Sequence, residues 1–136
     1  PEPPLLPDDF AARAQIRSLA LSIACEIHPL NNLRVLQHIT GPMALDDDTK
    51  LAWYQHWIAL GFEAFEAMLP ADAPGRGVCL GDVPTLADIC LVPQVFNANR
   101  FSCDLAPYPK IRAVNESLLE RAAFAETHPA RQPDAE

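Results

Sequence analysis

The stretch from Val78 to Leu105, VCLGDVPTLADICLVPQVFNANRFSCDL, constrains this chain more than any other. Gly81-Asp82-Val83-Pro84 spells a turn, and Thr85 directly after it is placed to cap a helix. The Thr85 hydroxyl can accept from the N–H of Asp88, while the Asp88 carboxylate reaches back to the N–H of Thr85. That is a capping box with Asp in the place of the usual Glu or Gln. An acid in the first turn also suits the positive end of the helix dipole. Leu86 to Phe96 is apolar almost throughout, so this helix is expected inside, touched on most sides, with the other elements packed around it. Pro93 predicts a kink within it, and its end falls near Asn99.

The rest of the chain reads as further helices. Residues 1 to 7 are a Pro-rich, extended lead-in. The chain starts Pro1-Glu2-Pro3-Pro4, and this linker reads as leading into the second half of a longer protein. Asp8 or Asp9 can cap a helix beginning at Phe10. Ile16, Leu19, Ala20, Ile23, Ile27 and Leu30 follow helical spacing, and the period resumes with Leu33 and Leu36. One long helix to about Ile39 is therefore expected, kinked and not stopped at Pro29, which removes an N–H and crowds the carbonyl of Cys25. Asp46, Asp47 and Asp48 start the next helix, whose core face is Leu51, Tyr54, Ile58, Phe62, Phe65 and Leu69. Trp53 and Trp57 lie on an adjoining face. Residues 70 to 77 are expected to be loop. Pro109 stands at the first turn of a helix carrying Ile111, Val114, Leu118 and Leu119, and Ala122 to Thr127 adds a short turn. No alternating period long enough for a sheet occurs, so the fold class is all-α.

Composition narrows the function classes. The 136 residues suit one domain with a real core. No segment approaches the roughly 18 to 20 unbroken apolar residues of a membrane span. A net charge of −8 argues against nucleic acid and against an anionic membrane surface. An anionic ligand would have to be held by a local cluster of positive groups. Eight of the ten basic residues are Arg, the better grip on carboxylates; a GC-rich genome is the bland alternative. Cys25, Cys79, Cys90 and Cys103 form no C-x-x-C pair and read as small buried hydrophobes in a reducing cytoplasm. The four His are scattered over different elements, so no metal site is expected. H-E-x-x-H, Gly-rich phosphate loops and G-x-S-x-G are all absent.

One resemblance goes further. GDVPTLADICLVPQVFNANRF, followed by Asp104-Leu105-Ala106-Pro107-Tyr108-Pro109 and by Phe124, His128-Pro129 and Gln132-Pro133-Asp134, resembles the C-terminal half of zeta-class glutathione transferases. These are the maleylacetoacetate and maleylpyruvate isomerases. The segment from Ile27 to Leu36, IHPLNNLRVL, is similar to the family's I-[QH]-P-x-x-N-x-x-V-L. The Thr-x-x-Asp box alone would point only to the wider superfamily, whereas L-V-P-Q-V-x-N-A-x-R-F is far more specific. The resemblance runs from about Pro4 onward. It implies a helical bundle of the glutathione-transferase C-terminal type over residues 8–128, with 1–7 as interdomain linker and 129–136 as a polar tail. The family's N-terminal thioredoxin-like domain, which holds most glutathione contacts, is not in this sequence, so the chain by itself is expected to be inactive.

The same resemblance implies glutathione as cofactor, with His28, Asn32, Leu33 and Arg34 approaching it. It implies Arg100 and Arg34 as groups that bind the carboxylates of a small maleyl keto acid, with Arg100 and His28 taking part in the reaction. A homodimer is implied as well. Each residue has a bland alternative. Arg100 also suits a helix C-terminus, Arg34 an exposed helix face, His28 a local cap or interface, and Asn32 the backbone groups freed at Pro29. On a regular helix His28 and Asn32 would share a face while Arg34 points away. Either Pro29 rewinds the segment, or one contact is made through backbone or across a dimer. Several family members have Gln at the place of His28, and that departure leans towards maleylpyruvate over maleylacetoacetate. Two other functions fit the same sequence: a transferase or dehalogenase of small α-halo acids, and a non-catalytic docking domain.

Overall fold

A computed structural model describes residues 4–133. The start of the lead-in, 1–3, and the end of the tail, 134–136 with Asp134, lie outside the described residues. Every regular element among the described residues is helical, as the periodicity predicts. In chain order, α1 (Phe10–Leu21) runs into a π-helical segment (Ser22–Ile27) and the short α2 (His28–Leu30). Then come α3 (Leu33–Thr40), α4 (Asp47–Met68), α5 (Ala73–Arg76), α6 (Leu86–Arg100), α7 (Pro109–Leu119) and α8 (Ala122–Ala125), with a 3₁₀ turn at Pro129–Arg131.

The buried core joins Ile16, Leu19 and Ile27 to Ile58, Phe62 and Phe65 of α4, Leu91 and Val95 of α6, and Ile111, Val114 and Leu118 of α7. Fully burying one such side chain stabilises by about 1.5–3 kcal/mol, against about 1 kcal/mol for a helix cap. Burial therefore holds the bundle together, and the caps decide where each helix begins.

The capping box at Thr85 is formed, and it does more than cap. Asp88 is fully buried. Its Oδ2 accepts from the Thr85 N–H at 2.7 Å and from the Thr85 hydroxyl at 2.8 Å, while Oδ1 accepts from the Cys79 N–H at 2.7 Å. One carboxylate thus closes the whole loop that leads into α6. Burial, and then the Asp88 charge, push the Cys79 thiol far above its ordinary range. The first N–H of the helix, that of Leu86, donates to the Leu5 carbonyl at 3.0 Å, so the lead-in docks at the same point.

α6 is not enclosed on most sides, contrary to expectation. Ala87, Leu91, Gln94, Val95 and Ala98 are buried, but Ile89 and Pro93 lie on an open face. The helix continues through Pro93 unbroken. Two further expectations fail: Leu51, one turn into α4, and Leu119, at the end of α7, are exposed. The expected loop 70–77 contains the short α5, closed by Gly77 in the left-handed region at φ 67°. Cys25 is exposed instead of buried, Cys79 is buried, and Cys90 and Cys103 are half-buried.

The largest correction concerns Pro29. The helix does stop there. The π segment widens the turns before Pro29, which relieves the clash of its ring with the Cys25 carbonyl. The chain then leaves the helix at Asn31 and Asn32, and Asn32, with extended backbone, N-caps α3 by accepting from the Arg34 N–H at 3.1 Å. The π segment also lies tight on α4, where a Cβ at Gly61 would overlap the Ile27 side chain.

Replacing Asp88 by Ala strands three donors in the interior, and a loss of about 2–4 kcal/mol is expected. Urea unfolding would show this as a lower midpoint with an unchanged slope.

Candidate functional site

The predicted site residues fall into two groups. His28, Asn32, Leu33 and Arg34 flank the helix break, and Arg100 is the last residue of α6. Three consecutive residues of α4 hold both groups. Trp53 Nε1 donates to the Leu30 carbonyl at 3.0 Å, and the Asn31 amide donates to the Tyr54 carbonyl at 3.2 Å. On the same turn the Tyr54 ring stacks on Phe101, with centroids 3.7 Å apart and planes 20° off parallel. Gln55 Nε2 donates to the Phe101 carbonyl at 2.9 Å. The break and the end of α6 are thereby fixed to one stretch of a rigid helix.

His28 is exposed, and because the chain breaks at Asn31 and Asn32 it no longer shares a helical face with Asn32. Asn32 spends its Oδ1 on the cap of α3, which leaves its Nδ2 to meet a ligand. The Leu33 side chain is 68% exposed and has no polar atom, so any approach to a polar ligand is through its backbone N–H in the first turn of α3. Arg34 is exposed and, with His38, Val35, Met43, Leu45 and Trp53, lines a groove of about 490 Å³. Arg100 is exposed, its guanidinium carbon 5.9 Å from the centroid of Phe101. Neither Arg34 nor Arg100 forms an ion pair with another described residue. Both cations are available to an anion from outside. Among the described residues no cluster of three or more His, Cys, Asp or Glu side chains could hold a metal. No described helix is long and apolar enough to cross a membrane.

A second, larger cavity of about 900 Å³ runs along the open face of α6, lined by Leu5, Val92, Phe96, Phe124 and His128 among others. It includes Asn97 and Asn99 but not Arg100, and it contains none of the first group. Neither cavity is lined by both Arg34 and Arg100. Within this chain the two groups share a support and not a pocket.

The comparisons with known proteins bear on which family uses such an arrangement. No model of a known protein family matches the chain. The maleylpyruvate isomerase of Ralstonia sp. is 48% identical over 136 residues, 99% of this chain and 64% of the relative. The crystal structure of maleylpyruvate isomerase from Pseudomonas aeruginosa superposes with a TM-score of 0.94 at 43% identity, covering 100% of this chain and 71% of that one. This chain belongs to the zeta-class glutathione transferases, the maleylacetoacetate and maleylpyruvate isomerase family. A further member, the maleylacetoacetate isomerase of Anaeromyxobacter dehalogenans, has been solved with dicarboxyethyl glutathione and citrate bound in its active site. It is 42% identical with a TM-score of 0.90, covering 100% of this chain and 61% of that one. The helical bundle expected from the resemblance is therefore the fold. The chain spans less than two thirds of the length of the first curated relatives, 62% and 64%.

Sequence reasoning missed Trp53, Tyr54 and Gln55 as the shared support. Helical spacing marks Tyr54 only as core. The contacts from Trp53 and Gln55 are long-range, 23 and 46 residues away along the chain. It also missed Glu66, whose carboxylate accepts from the Lys110 and Ile111 N–H groups at 2.9 Å each and so caps α7 from α4.

Burial pushes the Tyr54 phenol above its ordinary 10.0, Cys103 adds to the rise, and the Arg100 guanidinium pulls the other way. A phenol raised in the folded state contributes stability that is complete below pH 10 and is lost as pH climbs through the folded value. Replacing Arg100 by Ala removes the downward pull, so tyrosinate absorbance from Tyr54 should appear at higher pH. Tyr108, the other tyrosine of the chain, is raised by burial and by Glu63 and Asp104 and should titrate as before. If neither tyrosine shifts, Arg100 does not face Tyr54 in solution.

Proposed function

We propose that this chain is the substrate-side helical domain of a glutathione-dependent cis–trans isomerase of a maleyl keto acid. Residues 8–128 form the domain, with 1–7 as linker and 129–136 as tail. Support comes from relatives of 42–48% identity that are named maleylpyruvate or maleylacetoacetate isomerases, one of them holding dicarboxyethyl glutathione and citrate. The observation that carries the reading is Arg100, a cation without an ion-pair partner among the described residues, on the stacked and hydrogen-bonded end of a half-buried helix.

The residues present fit such a ligand pair. Glutathione carries carboxylates and amides, and Arg34, His28 and the Asn32 amide are exposed or half-exposed groups with donors to offer. When bound, glutathione supplies the thiolate that adds to the cis double bond and leaves again after rotation. Arg100 holds a substrate carboxylate, and its fixed charge stabilises negative charge that builds up on the keto-acid oxygens. Arg34 takes a second carboxylate, of substrate or of glutathione. His28 donates hydrogen bonds or carries a proton. Leu33 contributes through its backbone N–H. Maleylpyruvate is the substrate we favour: its second carboxylate is bonded directly to a keto carbon, and the exposed His28 offers that end a further hydrogen-bond donor.

The thioredoxin-like domain implied by the resemblance is the partner that would complete this site, and the apolar cavity along α6 is a surface on which it could pack. A second copy of the chain would cover the groove beside Arg34, where Met43 and Leu45 are exposed. A reducing cytoplasm is the location we propose.

The full-length protein is expected to convert maleylpyruvate to fumarylpyruvate only when glutathione is added. Arg100→Ala should lower kcat/KM on the order of 100-fold, as expected for losing a charged hydrogen bond to substrate worth up to about 3 kcal/mol. An unchanged kcat/KM would remove Arg100 from the substrate site. Faster turnover of dichloroacetate than of maleylpyruvate would favour the dehalogenase reading instead.

A further inference from the structure

We propose that Gln55 is a positioning residue for Arg100, setting where its guanidinium meets the substrate carboxylate. The inference rests on the substrate role of Arg100 given above. α6 ends in a turn that is tied twice to itself: the Ser102 N–H donates to the Asn99 carbonyl at 3.1 Å and the Cys103 N–H to the Ala98 carbonyl at 2.9 Å. This is the Schellman pattern, and it requires the residue after the cap to be left-handed. That residue is Ser102, at φ 54°, a conformation glycine adopts without a penalty and serine does not. The turn's own bonds leave the Phe101 and Ser102 carbonyls without donors from the helix.

Gln55 supplies them. Its Nε2 donates to Phe101 O at 2.9 Å and, more weakly, to Ser102 O at 3.4 Å. The side chain reaches from the middle of α4, and the neighbouring Tyr54 stacks on the Phe101 ring at 3.7 Å. Ring and amide together fix the plane and the height of the cap residue. Arg100 is the residue immediately before it, so its Cα direction is set by the same two contacts. Without Gln55 the strained Ser102 turn is free to relax towards a right-handed conformation, and Arg100 swings with it. A displacement of about 1 Å in a charge-binding group can cost as much as 100-fold in rate.

The test is a double-mutant cycle in the full-length protein with maleylpyruvate and glutathione. Gln55→Met keeps the length of the side chain and removes the donor. It should lower kcat/KM about 10- to 100-fold, chiefly through a higher KM. In the Arg100→Ala background the same change should have no further effect. An equal loss in both backgrounds would mean that Gln55 serves stability alone and would overturn the proposal, as would an unchanged kcat/KM in Gln55→Met. A silent Arg100→Ala is a separate outcome: it refutes the substrate role of Arg100 and this inference with it. If Gln55→Met does not fold, Gln55→Asn, with the amide retained and the reach shortened, carries the same cycle with the same criteria.

Discussion

A helix that ends inside a protein leaves carbonyls that need donors, and in this bundle two such ends are served by neighbouring side chains of a third helix. Trp53 donates to Leu30 where α2 stops, and Gln55 donates to Phe101 where α6 stops. Between them Tyr54 takes the Asn31 amide on its carbonyl and the Phe101 ring on its face. Three residues in a row thus set the relative height of two chain ends that are about seventy positions apart in sequence. Everything proposed about function depends on this arrangement, because the candidate cations sit directly beside those ends.

α4 can carry that load because its far side is anchored in the core. Ile58, Phe62 and Phe65 are fully buried. Further along, Glu66 caps α7 and Lys110 Nζ donates to the Leu69 carbonyl at 2.6 Å, so the C-terminal end of α4 is pinned as well. Asp88 performs the matching task at the start of α6, where three donors converge on one buried carboxylate. Both acids are removed from the candidate site and spend their oxygens on backbone and hydroxyl donors. Their work is to hold helix starts in place.

What the sequence made legible was local. The Thr85–Asp88 box, Asp9 and Asp46 as caps, Pro109 in a first turn and the buried face of α4 each need only a few neighbouring residues, and each is present. The break after Pro29 is hidden in the sequence because the apolar period resumes at Leu33 and Leu36, and a period does not show that the chain has stepped out of a helix between two matching runs. The legible signal was Asn32, a good N-cap residue before an apolar stretch. The left-handed Ser102 carries no such signal, since serine there is held by contacts from a distant helix. The site residues themselves came from family resemblance, and their geometry came from long-range hydrogen bonds that no spacing rule contains. Arg100 illustrates the division: its place at a helix end was readable, whereas the stack and the amide that fix that end were not.

Native-state hydrogen exchange on a Tyr54→Ala variant tests the support of the α6 end most directly. Removing the ring should speed exchange of the Phe101, Ser102 and Cys103 amides at the end of α6, while the break, held by Trp53 and by the Tyr54 carbonyl that alanine keeps, should exchange as before. The Thr85 and Cys79 amides held by Asp88 should keep their protection. Unchanged exchange at the end of α6, or a uniform rise across all helices, would contradict the Tyr54 ring as the support of that end of the site.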